Sequence, residues 1–484
     1  MADSAEARVT WLSWSADAFA RAGRERRPVL LSIVAPWSHA CREMDRTTWA
    51  DASIAGAVAD AFVTVRVDSD RRPDINERYN LGGWPTTAFL NADGAVLGGG
   101  TFVSADRMPG VLTRVRDAFA GDVPPRVPET RVRQDASAAA PPEADLTDAV
   151  LSTFDPAHGG FGTEPKFPHA APVRLTLALF RETRDPHLQT IAERTLEAMA
   201  RGDLHDDIDG GFFRYAMARN WAQPHCEKLL ETNAALLALY AEADQILDGS
   251  LWTDVVRGTA DYLLTRLADP DGGFYGSEYA APEYYEAADR SRWPLPDVDR
   301  TLYADVNAAA ASALLGASAA LGDDELARTA LRSLERVLLS GYRPGGGVAH
   351  DAGPDAVRGL LVDHVAMIHA LLDAHGLTEG TPYVMMAEEL GHYVLQELWD
   401  EDAGCTFDRQ GSDADVGLLR ERRRPFAITA EAAVAFARLE RASGEPAFRG
   451  RARAIVDALG PDAARQGPLA AHYLLAVRAA QGRW

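Results

Sequence analysis

His158-Gly159-Gly160-Phe161, Asp209-Gly210-Gly211-Phe212 and Asp271-Gly272-Gly273-Phe274 are three copies of one loop. Pro344-Gly345-Gly346-Gly347 and Asp402-Ala403-Gly404-Cys405 are looser versions of it. They recur about every fifty to seventy residues, the period of an internal repeat. The stretches between them carry apolar residues at helical spacing. The clearest are 171–183, 187–202, 226–247, 250–268, 303–321, 323–339, 358–377, 381–399, 426–443 and 466–481, and 143–154 and 445–458 are weaker. Each repeat is then a helical hairpin that cannot bury its own apolar face. Six hairpins closed into a ring bury every face without capping repeats. The spacing predicts an all-α (α/α)6 six-hairpin toroid over 143–484, with the glycine loops on one face; a plain helical solenoid is the alternative.

Upstream the pattern changes to mixed α/β. Pro28 to Val34 is a short apolar run that reads as a buried strand. A helix is expected from near Ser38 through Ala61. Phe62-Val63-Thr64-Val65-Arg66-Val67 alternates as a second strand, and 86–97 reads as a hairpin around Asn91-Ala92-Asp93-Gly94. A last helix covers 105–119. Residues 121–142 hold Pro124, Pro125, Pro128, Pro141 and Pro142 among small and charged residues, a linker by composition. The expected domains are therefore 1–120, a linker 121–142, and 143–484.

The chain has 484 residues and a net charge of −22, which disfavours nucleic acid and anionic membrane as partners. No run of eighteen apolar residues and no secretory pattern appears, and Cys41, Cys226 and Cys405 are too few and too scattered for a disulfide framework. A cytoplasmic location is expected. Only Lys166 and Lys228 are lysines among the 49 basic residues. Where arginine is the default cation, a surviving lysine marks a place needing a compact ammonium, unless it is chance plus an ion pair.

Several segments resemble the spermatogenesis-associated protein 20 (YyaL-type) family. Trp37-Ser38-His39-Ala40-Cys41-Arg42-Glu43-Met44 is similar to that family's Cys-His-Trp-Cys-His-x-Met segment. Asp68-Ser69-Asp70-Arg71-Arg72-Pro73-Asp74 and Gly83-Trp84-Pro85-Thr86 resemble its Asp-x-x-x-Arg-Pro-Asp and Gly-Trp-Pro segments. Gly159-Gly160-Phe161-Gly162 with Pro165-Lys166-Phe167-Pro168, and Gly210-Gly211-Phe212-Phe213-Arg214-Tyr215 with Trp221 and Pro224-His225-Cys226-Glu227-Lys228, resemble its toroid motifs. The resemblance implies a thioredoxin-like domain followed by a toroid similar to those of N-acylglucosamine 2-epimerases and six-hairpin glycosidases. This chain departs from the family at Ser38, which replaces the first cysteine, and at Ala40, Arg42 and Cys226. Ser277-Glu278 stands where the family has an acidic Asp-Ala-Asp.

The attacking thiol of a thioredoxin sits at the helix start, here Ser38, so Cys41 has no partner for an intramolecular disulfide. Ser38, His39, Cys41 and Pro85 form a degenerate redox site. Cys41 is then a buried structural thiol or a lone reactive one, and the domain is left as a docking surface for a protein partner. In the toroid, Pro224 to Lys228 is expected to open a helix, which would place His225 and Lys228 on one face. A His beside a carboxylate can exchange protons near neutral pH. His225, Glu227 and Lys228, with His364 after Asp363 as a second base, are the candidate catalytic group. Lys166, Arg214, Tyr215, Trp221 and Asp363 are candidate contacts to a sugar or other small polar ligand. Asp206, Asp207 and Asp209, and the indoles of Trp84, Trp221, Trp252 and Trp293, offer further sugar-binding chemistry. Structural capping, loop solvation and core packing are the competing explanations. No phosphate loop, metal-type spacing or Ser-His-Asp pattern appears, so no cofactor and no metal is expected.

Overall fold

The computed structural model describes residues 8–121 and 140–483, which fall into two compact units. Most of the expected linker lies outside the described residues.

In the first unit, strands β1 (Val29–Val34), β2 (Val63–Asp68), β3 (Thr86–Leu90) and β4 (Val96–Gly100) form a sheet in the order β2-β1-β3-β4. β1 runs parallel to β2 and antiparallel to β3. Helices α1 (Ala16–Glu25), α2 (His39–Thr47), α3 (Ala52–Ala61), α4 (Pro73–Tyr79) and α5 (Met108–Ala120) cover its two faces. Alternation along β1 divides the core. Val29, Leu31 and Ile33 join one apolar cluster with Phe19, Val65 and Ile75, and Leu30 joins the other with Met44, Ile54, Phe89 and Leu112. The single helix expected over 38–61 is two helices, because the Asp51 carboxylate caps a new start by accepting from the amides of Ser53 and Ile54.

This unit also takes in Gly411–Arg422 from far along the chain, which corrects the expectation that everything after 143 belongs to the toroid. Val416 and Leu419 are buried in the first unit's core. Tyr79 Oη accepts from the Leu418 amide at 2.8 Å and donates to Gly94 O at 2.9 Å. Arg78 donates to the carbonyls of Leu418 and Glu421 at 3.0 and 2.8 Å.

The second unit is the ring. Its inner helices are α7 (Ala170–Thr183), α9 (Leu230–Ile246), α12 (Ala304–Leu321), α14 (Leu361–Thr378), α16 (Phe426–Ser443) and α18 (Ala470–Ala480). Each packs on the next, and α18 returns to α7, so the ring closes. The outer helices are α6 (Glu143–Leu151), α8 (Pro186–Arg201), α10 (Ser250–Tyr262), α13 (Asp324–Gly341), α15 (Thr381–Tyr393) and α17 (Pro446–Ala463), while α11 (Pro282–Tyr285) is one turn within a loop. By length and apolar composition α12 could cross a membrane; here it is an inner helix with 56% of its residues buried.

The glycine loops all lead into the N-terminal ends of inner helices. In each of the first two, an aspartate folds the loop. Asp155 Oδ1 accepts from the amides of Ala157 and His158, and Asp206 Oδ1 accepts from those of Ile208 and Asp209. Both glycines of each pair have φ near +70 to +80°, which a side chain would strain. A side chain on the fourth residue of the inner helix then pins the loop. Asn233 accepts from the Phe212 amide and Asn307 from the Phe274 amide, both at 2.7 Å.

Candidate functional site

Of the expected redox-site residues, Ser38, Cys41 and Pro85 are buried. Ser38 caps α2 by accepting from the Cys41 amide at 3.4 Å. Cys41 is buried, its Sγ accepts from the Ala35 amide, and burial pushes the thiol up. His39 is exposed. Pro85 is buried after a cis peptide bond, and Trp84 meets Trp37 edge-on at 5.5 Å, which brings that turn beside the start of α2. An enclosed thiol raised above its ordinary pKa is the opposite of a thiolate sensor.

In the ring, Pro224 to Leu229 is extended rather than helical. Lys228 and Leu229 pair with Glu278 and Ser277, and α9 begins only at Leu230. Successive side chains of an extended segment point to opposite sides. His225 and Glu227 therefore share one side, with Nδ1 3.4 Å from Oε1, and Lys228 takes the other.

Lys228 is fully buried. Its Nζ donates to Asp206 Oδ2 at 2.6 Å and to Gly210 O at 2.7 Å, among the rings of Phe213, Tyr262 and Tyr285. Lys166 repeats the arrangement one hairpin earlier, donating to Asp155 Oδ2 at 2.7 Å against Trp221. Neither ammonium reaches solvent, so the catalytic role expected of Lys228 and the ligand contact expected of Lys166 are corrected to structural ones. Trp221 is likewise core, 1% exposed with its indole N–H on His158 O, and Trp252 is buried too. Asp206 is ion-paired to Lys228 and Arg290, and Asp209 to Arg290. Glu278 is buried against Arg266 and Tyr285.

His364 is also sealed. Nδ1 bonds Leu360 O at 2.7 Å, Nε2 accepts from the Val348 amide at 3.2 Å, and the ring stacks on Tyr393. Burial pushes its imidazole down to about 4. It is not a second base. Asp363 faces His350 instead, at 2.8 Å from Nδ1.

What stays open is a polar strip along the inner-helix N-termini. The His225 side chain is 43% exposed and stacks on Tyr215 at 4.5 Å, which stacks in turn on exposed Phe167 at 4.6 Å. Arg214 donates to Glu227 at 2.6 Å. Burial works to raise the Glu227 carboxyl, but His225 and Arg214 hold it below the ordinary range. Glu231, on the first turn of α9, is solvent-accessible; the surrounding protein and the Asp305 charge push its carboxyl up, against Arg214. Beyond it lie Asp305, His350 and Asp363. A second polar group lines the ring's inner wall, where Glu431 accepts from His472 at 2.7 Å and lies 3.9 Å from His369.

Sequence reading missed Glu231, Asp305, His350, His369, Glu431 and His472. For Glu231, Asp305, Glu431 and His472 the signal available was a charged or imidazole side chain near the start of an otherwise apolar helix; His350, in a loop, and His369, in mid-helix, carried none.

A thioredoxin-like sheet unit and a closed six-hairpin ring define the class: a thioredoxin-like domain fused to a toroid of the kind found in sugar epimerases and glycosidases. Residues 1–122 match the Thioredox_DsbH model, described as "Protein of unknown function, DUF255". The chain is homologous to proteins named spermatogenesis-associated protein 20. It is 29% identical to that of Homo sapiens over 308 residues, covering 56% of this chain and 39% of the human one. It thus spans about two fifths of the length of the curated relatives it matches. The cellobiose 2-epimerase of Spirochaeta thermophila superposes with a TM-score of 0.55 at 18% identity, over 70% of this chain and 96% of that one. A GH76 alpha-mannanase of Bacteroides thetaiotaomicron gives 0.52 at 11% identity, over 71% and 97%. These structural likenesses establish the fold.

Proposed function

We propose that the ring binds a carbohydrate-type ligand at the inner-helix N-termini and exchanges a proton with it through His225 and Glu231. The observation that carries this is the half-exposed His225, oriented by Glu227 and continued by the rings of Tyr215 and Phe167. A stack of flat rings beside a carboxylate–imidazole pair suits a polyhydroxylated ring with one apolar face. Glu231 takes the place of His364 as the second ionisable group, because it meets solvent and burial and the Asp305 charge raise its carboxyl above the ordinary range. The neighbouring sugar epimerase and mannanase folds make a sugar the first ligand class to try.

Saturation-transfer NMR against a panel of mono- and disaccharides tests binding, and deuterium uptake at sugar carbons in D2O tests proton exchange. Wild type is expected to bind, and His225→Ala and Glu231→Gln to lose exchange. Absence of binding by wild type across the panel overturns the reading.

A second reading keeps the thioredoxin-like unit as a protein-docking fold, favoured by the Trp37–Trp84–Pro85 turn persisting beside a closed Ser38–Cys41 site. A specific cross-linked partner, unchanged in His225→Ala and lost in Trp84→Ala, would support it.

A further inference from the structure

We propose that Asp305, His350 and Asp363 form a binding site for a divalent transition-metal ion, Zn2+ or Mn2+. The three residues offer one ligand atom each, all within 4.8 Å of one another. His350 Nδ1 stands 2.8 Å from Asp363 Oδ1 and 3.9 Å from Asp305 Oδ1. Metal–ligand bonds of about 2.0–2.2 Å place adjacent ligand atoms about 3–3.5 Å apart, and the observed separations bracket that span.

An independent observation points the same way. The Asp363 side chain is wholly enclosed, yet its Oδ2 has no hydrogen-bond partner among the described residues, and neither has the buried Oδ1 of Asp305. An orphaned carboxylate oxygen in an interior is costly. The two carboxylates flank one imidazole, Asp363 through Oδ1 and Asp305 through its orphaned Oδ1, and make a pocket of negative charge that a cation would neutralise. The ligand type selects the ion. Two carboxylates and an imidazole suit Zn2+ or Mn2+, whereas Mg2+ and Ca2+ prefer oxygen alone.

The frame is rigid. Asp305 and Asp363 lie on the first turns of adjacent inner helices α12 and α14. His350 comes from the loop that leads from α13 into α14, its carbonyl accepting from the Ala304 amide and its amide donating to Val357 O, both at 2.8 Å. The Tyr303 ring packs on the imidazole at 5.4 Å.

The test uses the full chain stripped with EDTA and titrated with Zn2+ or Mn2+ alone, read by calorimetry and by metal content after dialysis. One ion per chain is expected, with a raised Tm. His350→Gln and Asp363→Asn should weaken binding at least about tenfold. Because Asp363→Asn removes a fully buried charge, Asp305→Asn, which is partly exposed, is measured as well, with circular dichroism to verify folding. No stoichiometric ion in wild type, or unchanged affinity in folded Asp305→Asn and His350→Gln, overturns the site. Metal content is read without any sugar, so this proposal and the carbohydrate reading fail separately.

Discussion

His364 does for the fourth inner helix what Asn307 does for the third. Each is the fourth residue of its helix, and each accepts from the backbone amide that follows the glycines of its loop, Val348 in one case and Phe274 in the other. A histidine met in sequence beside an aspartate suggested a base; the repeat shows it as a clamp. His364→Asn should therefore keep most of the stability. His364→Ala should lose about 1–3 kcal/mol for the orphaned amide, and more for the space left. Urea midpoints rank the two, and equal loss in both would contradict the equivalence.

Lys228 gives a second prediction. Removing it leaves Asp206 with Arg290 as its one cation among the described residues, so Lys228→Ala should cost about 3–5 kcal/mol, as for a broken buried pair. Sugar binding by the surviving folded protein should be unchanged. Wild-type stability in the variant would show the ammonium to be dispensable.

Acid should destabilise the ring in an unusual window. His364 and His369 are each pushed down from 6.5 to about 4, by burial first, with Arg358 and Arg438 respectively adding to it. As pH falls the unfolded chain takes up these protons before the folded one. The stabilisation is complete above about pH 6.5 and lost as pH drops toward 4. The lowered carboxyls of Glu227 and Asp206 extend the loss to lower pH. Thermal midpoints should hold from pH 7.5 to about 6.5 and decline from there to about pH 4, and His364→Asn should flatten part of the slope. A level profile above pH 5 would rule this out.

All three thiols should resist alkylation in the native protein. Burial raises Cys41, and Cys226 and Cys405 are pushed up to about 11, again mainly by burial. Iodoacetamide at neutral pH should label none of them until denaturant is added, as read by mass. Ser38→Cys should supply the missing attacking thiol at the start of α2 and form a reducible disulfide with Cys41; failure to do so under diamide would mean that the turn no longer fits one.

Much of the fold was legible in the sequence. The helix periods and the recurring glycines predict the ring, a short apolar run after Pro28 predicts β1, and β-branched alternation predicts β2. The site was far less so. His225 and Glu227 were found, but as helix neighbours of Lys228, because nothing local shows that Lys228 and Leu229 pair as a strand with Ser277 and Glu278. Lysine scarcity did mark special positions, yet the need it reported was a compact buried cation. Asp305, His350 and Asp363 come from one inner helix, the loop after α13 and the next inner helix, a juxtaposition that the packing of α12 on α14 creates.

The place of Gly411–Arg422 in the first unit fixes an order of events during synthesis. Most of that unit emerges from the ribosome within the first 121 residues, but Val416 and Leu419, and the Leu418 amide that meets Tyr79, are made about three hundred residues later. At roughly 5–20 residues per second, that is a wait of about 15–60 s. The N-terminal unit therefore cannot be finished first. It stays open along one side of its core until nearly the whole ring has been translated.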